Sequence, residues 1–387
     1  MKKYPLADQL VCLDDDADRI WVLNPVAALM LEYTRRGLDH DAIARLISER
    51  YQVHITTVMS DLKQFDRMLV SQDALAQEAC QEYTPLTDFE PARDLRPTET
   101  QTYYLPGYSL RVSSEAEGLH DYLRDMFTLS PCTQLDAQDL IVDIYHDVDR
   151  FPIVVDGKTL DTGLTLADTA IKCLREINGL VARGRDLTII FHASAVAAGD
   201  TGILIPALGG SGKTTLAAYL MHRGYAFLND DAVPMLAKSA ELLPVPVSLS
   251  IKSGSWEVLG KHYPEMTSLT IFGEADRQIK YLPPSDHQIQ QRPVACKLVI
   301  IPEYRESQHE VEVVQLSVVE VFSHIIRSGC IVERPVNPVA LGSLVDWLDE
   351  MPCYRIIYSS LLHAEAALSA LLDEINETHV CSSWPNN

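Results

Sequence analysis

Residues 209–215 read Gly-Gly-Ser-Gly-Lys-Thr-Thr, and these residue types together can bind phosphate groups. Glycines let backbone N–H groups surround phosphate oxygens, a lysine can reach the outer phosphates, and a hydroxyl can hold Mg²⁺. The residues predicted to bind the nucleotide here are Gly209, Gly210, Ser211, Gly212, Lys213, Thr214 and Thr215. The apolar run 202–205 predicts a strand before the loop, and 216–222 predicts a helix whose N-terminus favours an anion. ATP and Mg²⁺ are the predicted ligands.

One position departs from the standard phosphate-binding loop. Ala207 stands where a glycine is expected, five residues before the last glycine of the motif. Two interpretations remain open at this point, a slightly altered phosphate cradle or a chance cluster of glycines at a helix start. The position of the motif between a predicted strand and a predicted helix favours the first.

Two adjacent aspartates, Asp230 and Asp231, follow the next predicted strand, 225–228. In phosphoryl transfer one carboxylate can accept the proton of an incoming hydroxyl while another holds Mg²⁺. Adjacent aspartates after a strand also form ordinary turns. Because the pair follows a phosphate-loop lysine so closely, we favour the catalytic interpretation.

Four further polar residues are weaker candidates. His192 ends the strand before the loop, although a single histidine is more often structural than catalytic. Lys252, Arg277 and Lys280 follow apolar segments and could neutralise charge on a transferring phosphoryl group. Each could equally be a solvated surface cation. Lys252 and Arg277 are included in the predicted nucleotide site.

Length and composition limit the possible classes of protein. The 387 residues leave room for two or three domains, and the net charge of −22 argues against binding nucleic acid. The eight cysteines are scattered singly, with no metal-like spacing. No apolar run approaches membrane length, and the N-terminus lacks the apolar core of a signal peptide. We therefore expect a cytoplasmic protein with reduced thiols and no membrane partner.

The N-terminal segment predicts a small separate domain. Apolar runs at 10–13 and 20–23 predict a hairpin, and three short helices are predicted after it. Two strands and three helices favour a winged-helix-like domain over residues 1–77. A linker rich in proline, threonine and charge follows over 78–102. The third helix is close to neutral, which argues against a DNA-binding winged helix.

Within this segment, Asn24-Pro25, the start Ala27-Ala28-Leu29, Ile43-Ala44 and the helix from Asp61 to Leu69 resemble the PqqD family of peptide chaperones. The resemblance covers most of residues 5–75. It implies that the leader segment of a ribosomally made precursor peptide binds as an added strand beside the hairpin, against the third helix.

A second resemblance joins the candidate catalytic residues. His192, Lys213 and Asp230-Asp231 resemble the HPr kinase family without a gap, with Gly202, Gly210, Gly212 and Arg223-Gly224 between them. The resemblance implies an α/β (α+β) core of the HPr kinase and phosphoenolpyruvate carboxykinase type over 103–378, with a tail at 379–387. It implies Lys213 and Thr214 on phosphates and Mg²⁺, Asp230 as base, Asp231 as metal ligand and His192 near the reacting phosphate. HPr kinases are typically hexameric, but the resemblance does not extend far enough to carry that state over, and a homo-oligomer stays a hypothesis.

The chain departs from that family at further positions. Thr215 replaces an acidic residue, and the second glycine-rich signature with its glutamate has no counterpart. Residues 248–256, Ser-Leu-Ser-Ile-Lys-Ser-Gly-Ser-Trp, stand in that region instead. Such departures are typical of divergent HPr-kinase-like enzymes that accompany PqqD-type partners.

Three functions follow as hypotheses. The first is an ATP-dependent kinase that phosphorylates a Ser or Thr hydroxyl of a precursor peptide bound through the PqqD-like domain. The second is a kinase for a small molecule such as free serine. The third is a chaperone that binds ATP and peptide without catalysis.

Overall fold

The computed structural model describes residues 1–14, 19–79, 94–105, 108–127, 138–182, 187–208, 210–237, 239–245, 247–273, 278–328 and 337–381. The chain divides into two compact units. The first contains residues 1–84 and 333–349, and the second contains residues 85–332 and 350–387. Helices and several β-sheets occur together, so the protein is a mixed α/β protein, as the sequence predicts.

The first unit combines a three-stranded antiparallel sheet with helices. The strands are β1 (Lys2–Leu6), β2 (Gln9–Asp14) and β3 (Arg19–Leu23), and the helices that follow are α1 (Pro25–Arg35), α2 (His40–Tyr51) and α3 (Ile55–Ala79). The Asn24 side chain accepts the Ala27 N–H at 2.8 Å, and Asp39 accepts the Ala42 N–H at the same distance. These caps fix where α1 and α2 begin.

The predicted hairpin is the β2–β3 pair, but the sheet has an additional strand that the sequence did not predict. β1 contains Pro5, which cannot donate a ladder hydrogen bond and therefore hides the strand pattern. Because β1 lies at the edge of the sheet, the proline is tolerated there. The third helix extends to Ala79, two residues beyond the predicted domain end at 77, and most of the predicted linker, 80–93, lies outside the described residues.

A helix from late in the chain completes the first unit. This helix, α9 (Pro338–Asp349), packs on β1, where the Tyr4 hydroxyl donates to the Pro338 carbonyl at 2.7 Å. A Cβ atom at Gly342 would lie 3.1 Å from the Tyr4 ring, so glycine permits the close approach. The predicted domain bounds assign these residues to the second domain, 103–378. The first unit is instead built from two separate parts of the chain.

The second unit begins with a five-stranded sheet whose strands neighbour each other in sequence order. They are β4 (Glu99–Leu105), β5 (Tyr108–Ser114), β6 (Gln138–Ile144), β7 (Phe151–Val155) and β8 (Lys158–Gly163). Two helices, α4 (Leu119–Met126) and α5 (Leu166–Ala182), bury their apolar sides in the same core cluster. β4 begins at Glu99, before the predicted boundary at residue 103.

A larger, nine-stranded mixed sheet carries the predicted phosphate loop. Its main path runs β12-β10-β11-β17-β14-β13-β9, with β19 beside β17 and β18 beside β19. The strand bounds are β9 (Leu187–Phe191), β10 (Ala193–Ala198), β11 (Thr201–Pro206), β12 (Ala226–Asn229), β13 (Val233–Leu236), β14 (Glu241–Leu242), β17 (Val294–Tyr304), β18 (Glu312–Gln315) and β19 (Cys353–Tyr358). Every residue of β11 is buried.

A separate two-stranded antiparallel ribbon, β15 (Leu249–Lys252) with β16 (Ile279–Leu282), brings the region after Asp231 back towards the loop. The remaining helices of this unit are α6 (Lys213–His222), α7 (Trp256–Gly260), α8 (Val318–Ser328) and α10 (Leu361–Cys381). Leu216, Leu220, Leu249 and Ile251 share one buried cluster, which joins α6 to the ribbon. Across the described part of the chain, no helix is both long and apolar enough to cross a bilayer.

Candidate active site

The predicted phosphate loop connects the buried strand β11 to helix α6. Gly210 and Gly212 adopt φ values of +88° and +94°, a region that favours glycine. Gly212 is the N-cap of α6, and no side chain caps the helix there. The N–H groups of the first turn are therefore left for an anion. Gly209, which is part of the same prediction, lies outside the described residues.

Ala207, the departure from the standard loop, is fully buried at the end of β11. Its φ is not positive, in contrast to those of Gly210 and Gly212. Because the backbone at this position does not need the freedom of glycine, an alanine fits without strain. Of the two interpretations of the motif, the loop conformation therefore favours the altered phosphate cradle over a chance cluster of glycines.

Lys213 begins α6 and lies between the two aspartates. Only 7% of the residue is exposed. Its ammonium group donates a hydrogen bond to Asp231 and lies 3.7 Å from Oδ1 of Asp230. Burial acts to lower the pKa of Lys213, but the negative charges of Asp230 and Asp231 outweigh it and raise the pKa above its ordinary value. Lys213 is therefore charged at neutral pH.

Asp230 follows β12 and is almost completely buried, with 3% exposed. The Ser194 hydroxyl donates to it at 2.5 Å, and the Thr214 hydroxyl lies 3.1 Å from both carboxylate oxygens. Burial and the neighbouring charge of Asp231 raise the pKa of Asp230, against the smaller opposing effects of Lys213 and the hydrogen bonds. A carboxylate with a raised pKa is better matched to accepting a proton near neutral pH.

Asp231 differs from its neighbour in both conformation and charge. Its φ of +69° lies in the left-handed region, which aspartate tolerates better than most residues, and its side chain is 43% exposed. Partial burial acts to raise the pKa of Asp231, but the charge and hydrogen bond of Lys213 and a hydrogen bond from Ser250 lower it overall. Asp231 is therefore an ionised, accessible carboxylate.

Ser250, on β15, and Ser194, on β10, contact the aspartates but were not singled out by the sequence analysis. Ser250 contacts both aspartates. Its hydroxyl lies 2.8 Å from Oδ2 of Asp231 and 3.3 Å from Oδ2 of Asp230. Its backbone N–H donates to the same Asp230 oxygen at 3.3 Å. The signal in the sequence is the alternation of β15, in which Leu249 and Ile251 are buried and Ser250 occupies the opposite face.

Of the other predicted site residues, His192 contacts the aspartate pair, whereas Thr215 has a different partner and Lys252 is exposed. The ring nitrogen Nδ1 of His192 lies 3.2 Å from the carbonyl oxygen of Asp231, so His192 joins the aspartate pair. Thr215 instead pairs its hydroxyl with that of Ser255 at 2.6 Å. Lys252 is exposed at the end of β15, and Arg277 lies outside the described residues.

Lys280, the third candidate cation, has a structural role. Its ammonium group donates to the Met266 carbonyl at 2.5 Å and lies 4.8 Å from the ring centre of Trp256. The residue is buried, so its ammonium group binds these partners inside the protein and does not face the predicted nucleotide site as a solvated cation.

The donor set fits one Mg²⁺ ion that is shared with a nucleotide. Within the described ranges, no cluster of three or more His, Cys, Asp or Glu residues could hold a metal ion. Mg²⁺ is usually held by one or two carboxylates together with substrate phosphates and water. The ionised carboxylate of Asp231 would be such a ligand. Thr214 donates its proton to Asp230, which leaves its oxygen lone pairs for the same ion.

Comparison with known proteins adds little to this site. No protein-family model matches the chain, and no curated protein matches it. Among solved structures, the chain is similar to the Hpr(Ser) kinase/phosphatase from Coxiella burnetii, at 13% sequence identity and a TM-score of 0.23. The match covers 50% of this chain and 91% of that chain. Because this TM-score is too low to support a conclusion about fold or activity, the chemistry of the site has to be inferred from its own contacts.

Proposed function

We propose that the protein is an ATP-dependent phosphotransferase whose reaction centre is formed by Lys213, Asp230 and Asp231. The observation that carries the proposal is the position of this lysine and the aspartate pair at the uncapped N-terminus of α6. An anion-binding helix end, a charged lysine and two carboxylates with opposite pKa shifts are the parts that phosphoryl transfer needs.

In the proposed reaction, the oxygen of an acceptor hydroxyl forms a bond to the γ-phosphorus of ATP. The bond from that phosphorus to the β,γ-bridging oxygen breaks, and ADP leaves. The acceptor proton passes to Asp230, whose raised pKa suits a base. When bound, Mg²⁺ neutralises negative charge on the phosphates, and Asp231 and Thr214 are the residues that would hold it.

Lys213 has to change partners for this reaction. In the structure its ammonium group is bound to the aspartates, whereas in the nucleotide complex it binds outer phosphate oxygens. In the structure the two aspartates raise the pKa of Lys213 and so stabilise its charge, and in the nucleotide complex the negative phosphates would take over that role.

For the acceptor, we propose a Ser or Thr hydroxyl of a ribosomally made precursor peptide. The resemblance of residues 5–75 to PqqD peptide chaperones motivates this choice. The position of β3 at an edge of the sheet supports it, because among the described strands β3 pairs only with β2. The opposite edge strand, β1, contains Pro5 and is less suited to strand addition. The buried Trp21 on β3 also has an indole N–H without a partner in the described residues, and a bound peptide could accept a hydrogen bond from it.

The test incubates the full-length protein with ATP, Mg²⁺ and a candidate precursor peptide from a neighbouring gene, and mass spectrometry then measures the mass of the peptide. We expect a gain of one phosphoryl group with the wild type, and the same gain at a rate at least about a hundredfold lower with Asp230→Asn. Excess leader segment added as a separate peptide should inhibit the reaction by competition.

Three outcomes would contradict the proposal in different ways. Full activity of Asp230→Asn would exclude the proposed base. Phosphorylation of free serine that the leader segment does not inhibit would indicate a small-molecule kinase. Leader binding that responds to ATP without any ATP consumption would indicate a chaperone.

A further inference from the structure

The two adjacent carboxylates of the site repel each other, and Lys213 compensates for this repulsion only in the nucleotide-free protein. Asp230 and Asp231 are adjacent, and the Lys213 ammonium group lies against both. Once Lys213 turns to the nucleotide, the carboxylate of Asp231 loses one of its two hydrogen-bond donors among the described residues. The donor that remains is Ser250.

We propose that Ser250 is a positioning residue that holds the carboxylate of Asp231 in place for Mg²⁺ after Lys213 has moved to the phosphates. This inference rests on the proposed phosphotransferase function and extends it to a residue outside the loop and the aspartate pair.

Ser250 provides two donors, and geometry assigns one of them to each carboxylate. A serine hydroxyl has a single proton, which goes to the nearer oxygen, Oδ2 of Asp231 at 2.8 Å, rather than to Asp230 at 3.3 Å. The backbone N–H of Ser250 donates to Asp230. Removing the hydroxyl therefore takes a donor from Asp231 and leaves the backbone donor to Asp230 in place.

The strand that carries Ser250 is well fixed. In the β15–β16 ribbon, Ser250 pairs with Tyr281, and its neighbours Leu249 and Ile251 are buried in the cluster that includes α6. A donor on such a strand keeps its position when the charges around it change. Ser194 and Thr214 cannot replace it, because both donate to Asp230.

The two aspartates have different proposed roles, so a change at Ser250 should affect the Mg²⁺ requirement, which depends on Asp231, and not kcat, which depends on the base Asp230. Ser250→Ala should raise the Mg²⁺ concentration needed for half-maximal phosphoryl transfer, and that needed for half-maximal ATP binding in calorimetry, by about tenfold, equivalent to about 1.4 kcal/mol, because one hydrogen bond to a charged group is lost. At saturating Mg²⁺ the kcat should stay within about threefold of the wild type, because Asp230 keeps its donors.

Four variants control this experiment. Ser250→Thr keeps a hydroxyl and should restore the wild-type Mg²⁺ requirement, and Ser250→Cys, a weaker donor of similar size, should give an intermediate value. Ser248→Ala removes a buried hydroxyl two residues earlier in the chain, just before β15, and that hydroxyl has no partner in the described residues. It should leave the Mg²⁺ requirement unchanged. Adding Ser250→Ala to Asp231→Asn should raise the requirement no further.

Thermal unfolding without nucleotide shows whether each variant is folded before its kinetics are interpreted. If Ser250→Ala is unstable, Ser250→Cys carries the test. The proposal is wrong if a folded Ser250→Ala has the wild-type Mg²⁺ requirement, or if it lowers kcat while the requirement is unchanged. A wild-type protein that neither binds ATP with Mg²⁺ nor transfers phosphate would refute the proposed function itself.

Discussion

The conformation of the predicted phosphate loop depends strongly on one residue, Gly212. Two independent features require glycine there. The φ of +94° lies in the left-handed region, and a Cβ atom would lie 3.0 Å from the hydroxyl oxygen of Tyr358. Tyr358 is buried at the end of β19 and has little room to move. Gly212→Ala should therefore destabilise the protein through both the backbone and the contact.

Gly224 separates the two effects. Its φ of +97° nearly equals that of Gly212, but a Cβ atom there would meet nothing within 4 Å. Gly224→Ala should therefore cost only the backbone term, about 1–2 kcal/mol of unfolding free energy. Gly212→Ala adds an overpacked contact, which typically costs about 1–3 kcal/mol more. We expect the total for Gly212→Ala to be about 2–5 kcal/mol.

Urea unfolding of the wild type, of both alanine variants and of Gly212→Ala combined with Tyr358→Phe measures these values. The phenylalanine removes the hydroxyl oxygen that the new methyl group would meet, so the double variant should recover most of the difference between the two alanine variants. The reasoning is refuted if Gly212→Ala is no less stable than Gly224→Ala, or if removing the hydroxyl recovers nothing.

Three further predictions concern charge and protonation. Lys213→Met should weaken ATP binding by about two orders of magnitude, as measured by calorimetry, because a charged contact to the phosphates is lost. Asp230→Asn should lower kcat by about a hundredfold or more while the Mg²⁺ requirement changes little, as measured by transfer kinetics. Burial raises the pKa of Cys173 to about 12, so the folded protein keeps this thiol proton while the unfolded chain loses it above about pH 9. Stability should therefore fall as the pH rises from 9 towards 12, by about 1.4 kcal/mol at pH 10 from this thiol, and Cys173→Ala should unfold with a correspondingly weaker pH dependence.

The parts of the site that the sequence predicts are those with local signals. The predicted phosphate loop lies between adjacent elements, β11 and α6, and Asp230 with Asp231 follows the next strand directly. Glycines with positive φ, a helix start and a strand end all leave patterns within a few residues. The starts of α1 and α2 were predictable for the same reason, because their caps are local contacts.

The parts that the sequence does not predict depend on contacts between distant segments. Ser250 reaches Asp231 only because the β15–β16 ribbon packs on the same cluster as α6. Lys280 has the same sequence signature as an exposed phosphate-binding lysine, but the Met266 carbonyl and the Trp256 ring bind its ammonium group. The helix α9 belongs to the first unit through its contact with Tyr4, from the opposite end of the chain. No local pattern specifies any of these pairings.

The charge balance of the site predicts that removing the charge of Asp231 changes the affinity for ATP in opposite directions without and with Mg²⁺. A triphosphate that enters the site meets two carboxylates and one lysine, in a chain with a net charge of −22. Asp231 repels the phosphates when no metal ion is present, but it becomes an attractive ligand when Mg²⁺ accompanies the nucleotide. Asp231→Asn should therefore strengthen binding of metal-free ATP and weaken binding of ATP with Mg²⁺. Because the Asp231 side chain is 43% exposed, solvent screening should keep the first effect below about tenfold. Calorimetry in EDTA and in excess Mg²⁺ measures both constants, and a change in the same direction under the two conditions would exclude Asp231 as the metal ligand.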